Sequence, residues 1–195
     1  MRRILCLVLA AIVLPVLAEE AAGSKSIFLV AKKDLPDPFF RDSVVLVTNA
    51  GVAPIGVIIN KPLDVTVAKA LPDKEKLKSR GEKVHFGGPV KAGEVTFVFR
   101  SKKPVEEALK LLDDVYISGS REVLDTLLER DNPLEGLRIF VGHAGWSPGQ
   151  LENEISRGDW DLAPANAAAI FTAKPENLWP ELNRRASAQK VRYVR

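Results

Sequence analysis

The sequence predicts an α+β fold. Strand-like segments cluster in the first third of the chain, where two of them are joined as a hairpin, and helix-like segments follow later in a mixed order. Apolar periodicity indicates roughly six strands and four helices. This order is typical of an α+β domain rather than of a strictly alternating α/β sheet.

The predicted hairpin region opens the domain. Residues 26–31 form an apolar run that predicts a buried strand, and residues 43–48 are rich in β-branched side chains. Residues 49–51 contain a turn signal, and a third strand is predicted at 56–60. Between the first two strands, Pro36 and Pro38 indicate an extended loop.

The middle of the chain alternates between charged and apolar segments. Pro62 is expected to end the third strand because proline cannot donate to a sheet ladder. Asp64 is then predicted to cap a short helix that reaches Leu71. Residues 73–83 are highly charged, and Gly87-Gly88-Pro89 indicates a tight turn. Further strands are predicted at 95–100, 115–117 and 137–142.

Three further helices are predicted in the second half. Ser120 suits the N-cap of a helix whose apolar residues recur at helical spacing: Val123, Leu124, Leu127 and Leu128. A second helix opens at Gly149, after a glycine-rich turn, and reaches Ile155. Pro175 suits the first turn of the last helix, which presents Leu178 and Leu182.

The N-terminus has the three zones of a secretory signal. Arg2 and Arg3 form a basic start, residues 4–17 form an uncharged apolar run, and Ala18 precedes an acidic pair. The apolar run is shorter than the roughly 20 residues of a membrane-spanning helix, which favours a cleaved signal over an uncleaved anchor, the alternative. We therefore expect a periplasmic or extracellular protein.

The predicted organisation is a cleavable signal at 1–18, a linker at 19–25, one domain at 26–183 and a basic tail at 184–195. The part after the signal contains no cysteine, which excludes disulfides and thiolate chemistry there. Its body carries more acidic than basic residues, because five basic residues lie in the tail. Nucleic-acid binding is therefore not expected, and the tail suits at most weak contact with an anionic surface.

The loop at residues 34–41 is the first candidate site. It holds two carboxylates, two phenylalanines and an arginine on a stiff, proline-rich segment. One interpretation is a polar ligand site anchored by Asp37 or Arg41. The other, favoured, interpretation is structural: Asp37 caps nearby backbone N–H groups, and Phe39 and Phe40 fill the core.

The glycine-rich segment at residues 142–152 is the second candidate site. It follows a strand and opens a helix, so its backbone N–H groups suit an anion, and His143, Trp146, Gln150 and Glu152 lie within it. The alternative is tight packing at a turn, with Trp146 buried and Glu152 complementing the helix dipole. His143 is a better functional candidate than the other histidine, His85.

Two specific chemistries are disfavoured. Gly145-Trp146-Ser147-Pro148-Gly149 matches the nucleophile elbow of serine hydrolases, but Pro148 has no N–H for the oxyanion hole, and no histidine follows the serine. Two distant histidines and one early cysteine make a poor metal site. There is no P-loop and no dinucleotide fingerprint, so no cofactor is predicted.

The motifs, taken in order, resemble the YqgE/AlgH family (UPF0301, DUF179). The matching segments are Asp37-Pro38-Phe39-Phe40, Ser43-Val44-Val45-Leu46, Gly56-Val57-Ile58-Ile59-Asn60-Lys61-Pro62, Gly87-Gly88-Pro89-Val90, and Gly145-Trp146 with Gly149-Gln150-Leu151-Glu152 and Trp160. The resemblance implies a bifurcated sheet with a small barrel-like part surrounded by helices. The family name comes from a proposed role in transcriptional regulation of alginate production.

The main hypothesis is an exported, non-enzymatic binding or regulatory domain whose partner is an unidentified small molecule or protein. Its predicted pocket contains Asp37, Arg41, Asn60, Gly88, Trp146 and Gln150, with His143 and Glu152 as further candidates. One alternative is a hydrolase or acid–base enzyme that uses His143 with Asp37 or Glu152. The other is the transcriptional regulator that the family name suggests.

Overall fold

The computed structural model describes residues 26–48 and 53–193, with side chains up to residue 186. Its strands are β1 Ile27–Ala31, β2 Val44–Thr48, β3 Ile55–Ile58, β4 Pro62–Thr66, β5 Lys83–Phe86, β6 Val90–Arg100, β7 Leu109–Lys110, β8 Val115–Ser118, β9 Leu137–Gly145 and β10 Trp160–Pro164. Its helices are α1 Val67–Ala70, α2 Arg121–Leu128, α3 Gln150–Arg157, α4 Ala167–Phe171 and α5 Pro175–Tyr193, with a 3₁₀ turn at Glu75–Leu77.

The sheet forks at β9. Its main path runs β10–β1–β2–β3–β9–β6–β8–β7. One edge of β9 pairs with β6, whereas the other edge is shared by two strands. On that shared edge β5 runs parallel at Phe140 and Val141, and β3 runs antiparallel at Ala144 and Gly145. This mixed, bifurcated sheet confirms the predicted α+β fold.

The sheet curls around a hydrophobic core. Phe28 of β1 and Ile117 of β8 belong to the same buried cluster, although four strands lie between theirs in the sheet. Ile170 of α4 and Leu178 of α5 join this cluster. The curl is the barrel-like part of the fold, and the last two helices cover it.

Two further clusters pack against other faces of the sheet. One joins β6, β8 and β9 to α2, which buries the four apolar residues that its helical spacing predicted. The other lies on the opposite face of β1 and β2, where Leu29 and Val45 pack with Trp146, Leu151 and Trp160. This last cluster connects the hairpin to the glycine-rich segment.

The predicted helix from Asp64 to Leu71 is wrong at its start. Residues Pro62–Thr66 form β4, which pairs with β5. Proline is tolerated as the first residue of a strand, so Pro62 begins a strand rather than ending one. The N-cap is Thr66, whose hydroxyl accepts from the Lys69 N–H at 3.4 Å, and α1 is a single turn.

Other elements agree with the predictions in part. Ser120 caps α2 as predicted, and Pro175 begins α5. β6 and β9 are longer than predicted, and β5, β7, β10 and α4 were not predicted. The signal at 1–18, the linker at 19–25 and the turn at 49–51 lie outside the described residues.

The last helix continues beyond the predicted start of the tail. The α5 backbone is helical to Tyr193, and Arg185 pairs with Glu181 one turn earlier. In the described ranges, no helix combines the length and apolarity that crossing a membrane requires.

Candidate functional site

The loop around Asp37 is held by its own backbone. Oδ1 of Asp37 accepts hydrogen bonds from the N–H groups of Phe39 at 2.8 Å and Phe40 at 3.0 Å. The Arg41 N–H donates to the Asp37 carbonyl at 2.9 Å. These contacts support the structural interpretation of Asp37. Phe40 packs inward, but Phe39 is 49% exposed, and the Arg41 side chain is exposed as well.

Asn60 ties this loop to the sheet. Its Oδ1 accepts from the Val44 N–H at 2.7 Å, and its Nδ2 donates to the Asp42 carbonyl at 2.9 Å. The neighbouring Lys61 Nζ donates to the Phe39 carbonyl at 2.8 Å. Burial lowers the pKa of Lys61, against the opposite effect of nearby carboxylates. Both polar side chains therefore hold the loop that precedes β2 against the segment that follows β3.

Gly88 lies where two chain segments cross. A Cβ on Gly88 would stand 2.4 Å from the carbonyl carbon of His143, and its φ of +147° disfavours other residues. Gly87 approaches Gly142 in the same way, because its Cβ would stand 2.2 Å from the Gly142 oxygen. The close contact of two backbones, rather than a ligand, accounts for the glycines in this turn.

Glu154 is the centre of a hydrogen-bonded cluster on α3. Its Oε2 accepts from the indole N–H groups of Trp146 and Trp160, both at 2.9 Å, and its Oε1 accepts from Nε2 of Gln150 at 2.9 Å. Gln150 also accepts from the Ser147 N–H at 3.1 Å. We call Trp146, Gln150, Glu154 and Trp160 the Glu154 cluster.

The two predicted site loops converge on this cluster. The Phe40 ring lies 5.6 Å from the ring of Trp160, edge to face, and 6.1 Å from that of Trp146. The convergence is a packed aromatic contact that joins the loop of Asp37 to α3. Five cavities formed by residues 26–48 and 53–186 are lined by other residues, and not by Asp37, Arg41 or members of the Glu154 cluster.

His143 and Glu152 lie in the glycine-rich segment but do not belong to the Glu154 cluster. His143 lines a different cavity, beside Lys91 and Glu94. Burial lowers the pKa of His143, the positive charge of Lys91 lowers it further, and the negative charge of Glu94 raises it in part. Glu152 is exposed on the first turn of α3. The carboxylate that acts on His143 is thus Glu94 rather than Asp37 or Glu152.

A cavity of about 720 Å³ opens on another side of the domain, where β4 and β5 meet β9 and the last two helices. It is lined by His85, Arg138, apolar residues and several charged residues. We call it the Arg138 cavity. His85 is 7% exposed, and Arg138 is half-buried.

The Arg138 guanidinium is fixed by two neutral acceptors. Its Nη1 lies 3.0 Å from Nε2 of His85, and its Nη2 donates to the Phe171 carbonyl at 3.1 Å. Burial lowers the pKa of Arg138. Burial, and secondarily the charge of Arg138, lowers the pKa of His85 to about 4. Within the described residues, no carboxylate forms an ion pair with Arg138.

Sequence reasoning missed Glu154, His85 and Arg138 as members of sites. Glu154 follows Gln150 by four residues on a predicted helix, a spacing that brings side chains together, so a signal existed. Arg138 interrupts the apolar run of β9, which was a weaker signal. Its proximity to His85 follows from the parallel pairing of β5 with β9, which was not predicted.

Comparisons with known proteins identify the family of this chain. A family model described as DUF179, AlgH-like, matches residues 28–190. The chain belongs to this family. A UPF0301 protein of Methylococcus capsulatus is 35% identical over 173 residues, which cover 86% of this chain and 93% of that protein. A UPF0301 protein of Dechloromonas aromatica is 33% identical over 159 residues, covering 78% and 84%.

Two solved structures share the fold. A crystal structure of a Corynebacterium diphtheriae protein is 28% identical, with a TM-score of 0.68, and covers 83% of this chain and 86% of that one. The solution structure of the AlgH protein of Pseudomonas aeruginosa is also 28% identical, with a TM-score of 0.66, covering 84% and 86%. The family and its α+β fold are therefore established for this chain.

Proposed function

We propose that this chain is an exported, non-enzymatic binding domain whose ligand site is the Arg138 cavity. One observation carries the proposal: a half-buried guanidinium lines an open cavity and has no carboxylate partner within the described residues. A partly buried charge without a counter-ion is unfavourable in the isolated domain, and a ligand of opposite charge relieves that cost.

The size and lining of the cavity support this function. Small-molecule sites are usually concavities of roughly 300 to 1,000 Å³ with apolar walls and a few fixed polar groups. The Arg138 cavity, at about 720 Å³, has apolar wall residues such as Leu134 and Phe171 beside fixed polar groups of His85 and Arg138.

The hydrogen bonds of the motif side chains argue against catalysis at the motif loops. Asp37 and Asn60 hold backbone groups, and Gln150 holds Ser147 and Glu154. A group that catalyses proton transfer must reach a substrate, whereas these groups are already bonded within the protein. An acid–base enzyme would have to use His143 with Glu94, because these two side chains line the same cavity.

The N-terminal pattern supports the location. A basic start, an apolar run and a small residue before an acidic pair are typical of a cleaved secretory signal. An exported chain does not meet the chromosome, so this pattern opposes the alternative of a transcriptional regulator. The intact mass of the native protein tests the point: we expect a chain that begins at Glu19, and a chain that begins at Met1 would contradict export.

A fragment screen tests the binding function itself. The ¹⁵N-labelled protein, expressed with its own leader, is titrated with a library of small polar and apolar fragments while its amide spectrum is recorded. We expect saturable shifts that map to the lining of the Arg138 cavity. The proposal is wrong if no fragment of any charge class produces saturable shifts there.

A further inference from the structure

We propose that the Arg138 cavity takes an organic carboxylate, with the carboxylate group on the Arg138 guanidinium and the body of the molecule against the apolar wall. This inference rests on the proposed binding function and adds the chemical class of the ligand. It is carried by the geometry of the guanidinium and by the distribution of charge around it.

The orientation of Arg138 leaves donors free. A guanidinium has five N–H donors, and two of them are used by His85 and the Phe171 carbonyl. Three donors are thus without a protein acceptor in the described part of the chain. The two existing bonds fix the plane of the group, so the ordering of its side chain precedes ligand binding. A planar fork of this kind matches the two oxygens of a carboxylate.

His85 holds Arg138 without neutralising it. A guanidinium only donates, so Nε2 of His85 is the acceptor, and the imidazole carries its proton on Nδ1. Nδ1 makes no hydrogen bond of normal geometry, although the nearby Ile139 backbone slightly raises the pKa of the ring. Because the pKa is lowered to about 4, the imidazole is neutral near pH 7. The positive charge of Arg138 therefore stays available to an anion.

The other charges around the cavity favour a singly charged ligand. Arg80 pairs with Glu82, and Lys83 pairs with Asp64, so these cations are already balanced. Two further carboxylates, Glu135 and Glu176, are exposed in the lining. A single cation without an ion-pair partner, in a lining that also holds exposed carboxylates, suits a monoanion, whereas a phosphate dianion meets greater repulsion.

The rest of the wall suits an apolar body. Pro62, Leu134, Phe171 and Pro175 line the cavity and are exposed or half-buried, so part of their surface is open to a ligand. Arg100 holds the Phe171 ring in place by a cation–π contact, because its guanidinium carbon lies 5.4 Å from the centre of the ring. A carboxylate with a small aromatic or aliphatic body fits this combination.

Benzoate and its neutral counterpart benzamide provide the first test. Both have the same ring, and only benzoate has a carboxylate. In amide-detected NMR titrations of the wild-type protein, we expect benzoate to bind in the cavity at least about tenfold more tightly than benzamide, since charge-assisted bidentate bonds are the stronger ones. Inorganic phosphate is expected not to displace benzoate.

Three variants test the role of the guanidinium. Arg138→Lys keeps the charge but loses the fork, and we expect it to weaken benzoate binding by about tenfold. Arg138→Gln removes the charge and is expected to abolish the preference for benzoate over benzamide. Arg157→Gln, an exposed arginine on α3 that pairs with Asp159, is the matched control and should leave the affinity unchanged.

The outcomes separate the ligand class from the binding function. Equal affinities of benzoate and benzamide in the cavity would refute the carboxylate class and leave the binding function intact, as would benzoate binding that survives Arg138→Gln. Displacement of benzoate by phosphate would refute the carboxylate class and indicate a phosphate ligand instead. If neither probe binds, the class is refuted, and the fragment screen decides the binding function independently.

Discussion

The Glu154 cluster and the Arg138 cavity each hold a half-buried charged side chain, and they use it in opposite ways. Glu154 accepts from three donors, two of them the indoles of Trp146 and Trp160, and the cluster is closed by packing against Phe40. Arg138 uses two of five donors and lines an open cavity. A satisfied charge stabilises the fold, whereas a charge with free donors is available to a ligand.

The recognisable motifs lie largely apart from the proposed binding site. The motif residues lie where chain segments turn, cross or pack, as at Asp37, Asn60 and Gly88. The Arg138 cavity contains almost none of them. The most distinctive segments of the sequence thus build the domain, and, apart from Pro62, the proposed site uses side chains from outside them.

The largest effect is expected at the backbone crossing. Gly88→Ala places a methyl group 2.4 Å from the His143 carbonyl carbon in a strained conformation, and we expect a loss of at least about 3 kcal/mol in the free energy of unfolding. Gly93→Ala, in an open part of β6, is the control and should change stability by no more than about 0.5 kcal/mol. Urea unfolding measures both, and similar stabilities would show that the crossing does not require glycine.

The next effect is a pH dependence from His85. Its pKa of about 4 in the folded protein lies below the ordinary value of 6.5, so the unfolded chain binds a proton first as the pH falls. The stabilisation from the neutral ring is present above pH 6.5 and is lost by about pH 4, with a total loss of about 3 kcal/mol.

His85→Gln lacks this titrating group. Urea unfolding between about pH 7 and pH 4 should therefore show a smaller loss of stability in the variant than in the wild type, because carboxylates titrate in both. Parallel curves for the two proteins would mean that His85 is not held neutral by its surroundings.

A smaller loss of stability is expected when the Glu154 cluster loses its carboxylate acceptor. Glu154→Ala leaves two buried indole N–H groups without a partner, and we expect a loss of about 2 kcal/mol. Glu152→Ala, two residues earlier and exposed, should cost at most about 0.5 kcal/mol. Benzoate binding should be the same in both variants. A loss of binding in Glu154→Ala that is absent in Glu152→Ala would place the site at the cluster.

The smallest effect is expected at the loop junction. Asn60→Ala removes bonds to the Val44 N–H and the Asp42 carbonyl, and we expect a loss of about 1 kcal/mol in the free energy of unfolding. Arg41→Ala, exposed in the same loop, should change it by less than about 0.5 kcal/mol. Thermal unfolding of the pair measures the difference, and a larger loss in Arg41→Ala would show that the loop depends on this side chain instead.

Local patterns predicted much of the fold. The sequence predicted β1 and β2 from their apolar runs and α2 from its cap and apolar periodicity, because burial and capping depend on only a few neighbouring residues. β4, β5 and β10 were missed because their pairing with distant partners outweighs weak local propensity. Pro62 illustrates this, since the same residue can end one strand or begin the next.

The candidate site was predictable only in part. The sequence predicts Asp37 and Trp146 in one pocket, and their segments do meet, through the ring contact of Phe40 with Trp146. The contact of His85 with Arg138 joins residues 53 positions apart across a parallel strand pair, which no local pattern indicates. Whether a charge is satisfied or free depends on such distant partners.

The most direct test follows both regions in one NMR titration of the ¹⁵N-labelled protein with benzoate. The side-chain N–H signals of Arg138 report on the cavity, and the indole N–H signals of Trp146 and Trp160 report on the Glu154 cluster. We predict saturable shifts for Arg138 and unchanged indole signals. If the indole signals shift while the Arg138 signals do not, benzoate binds at the motif loops and the proposed site is wrong.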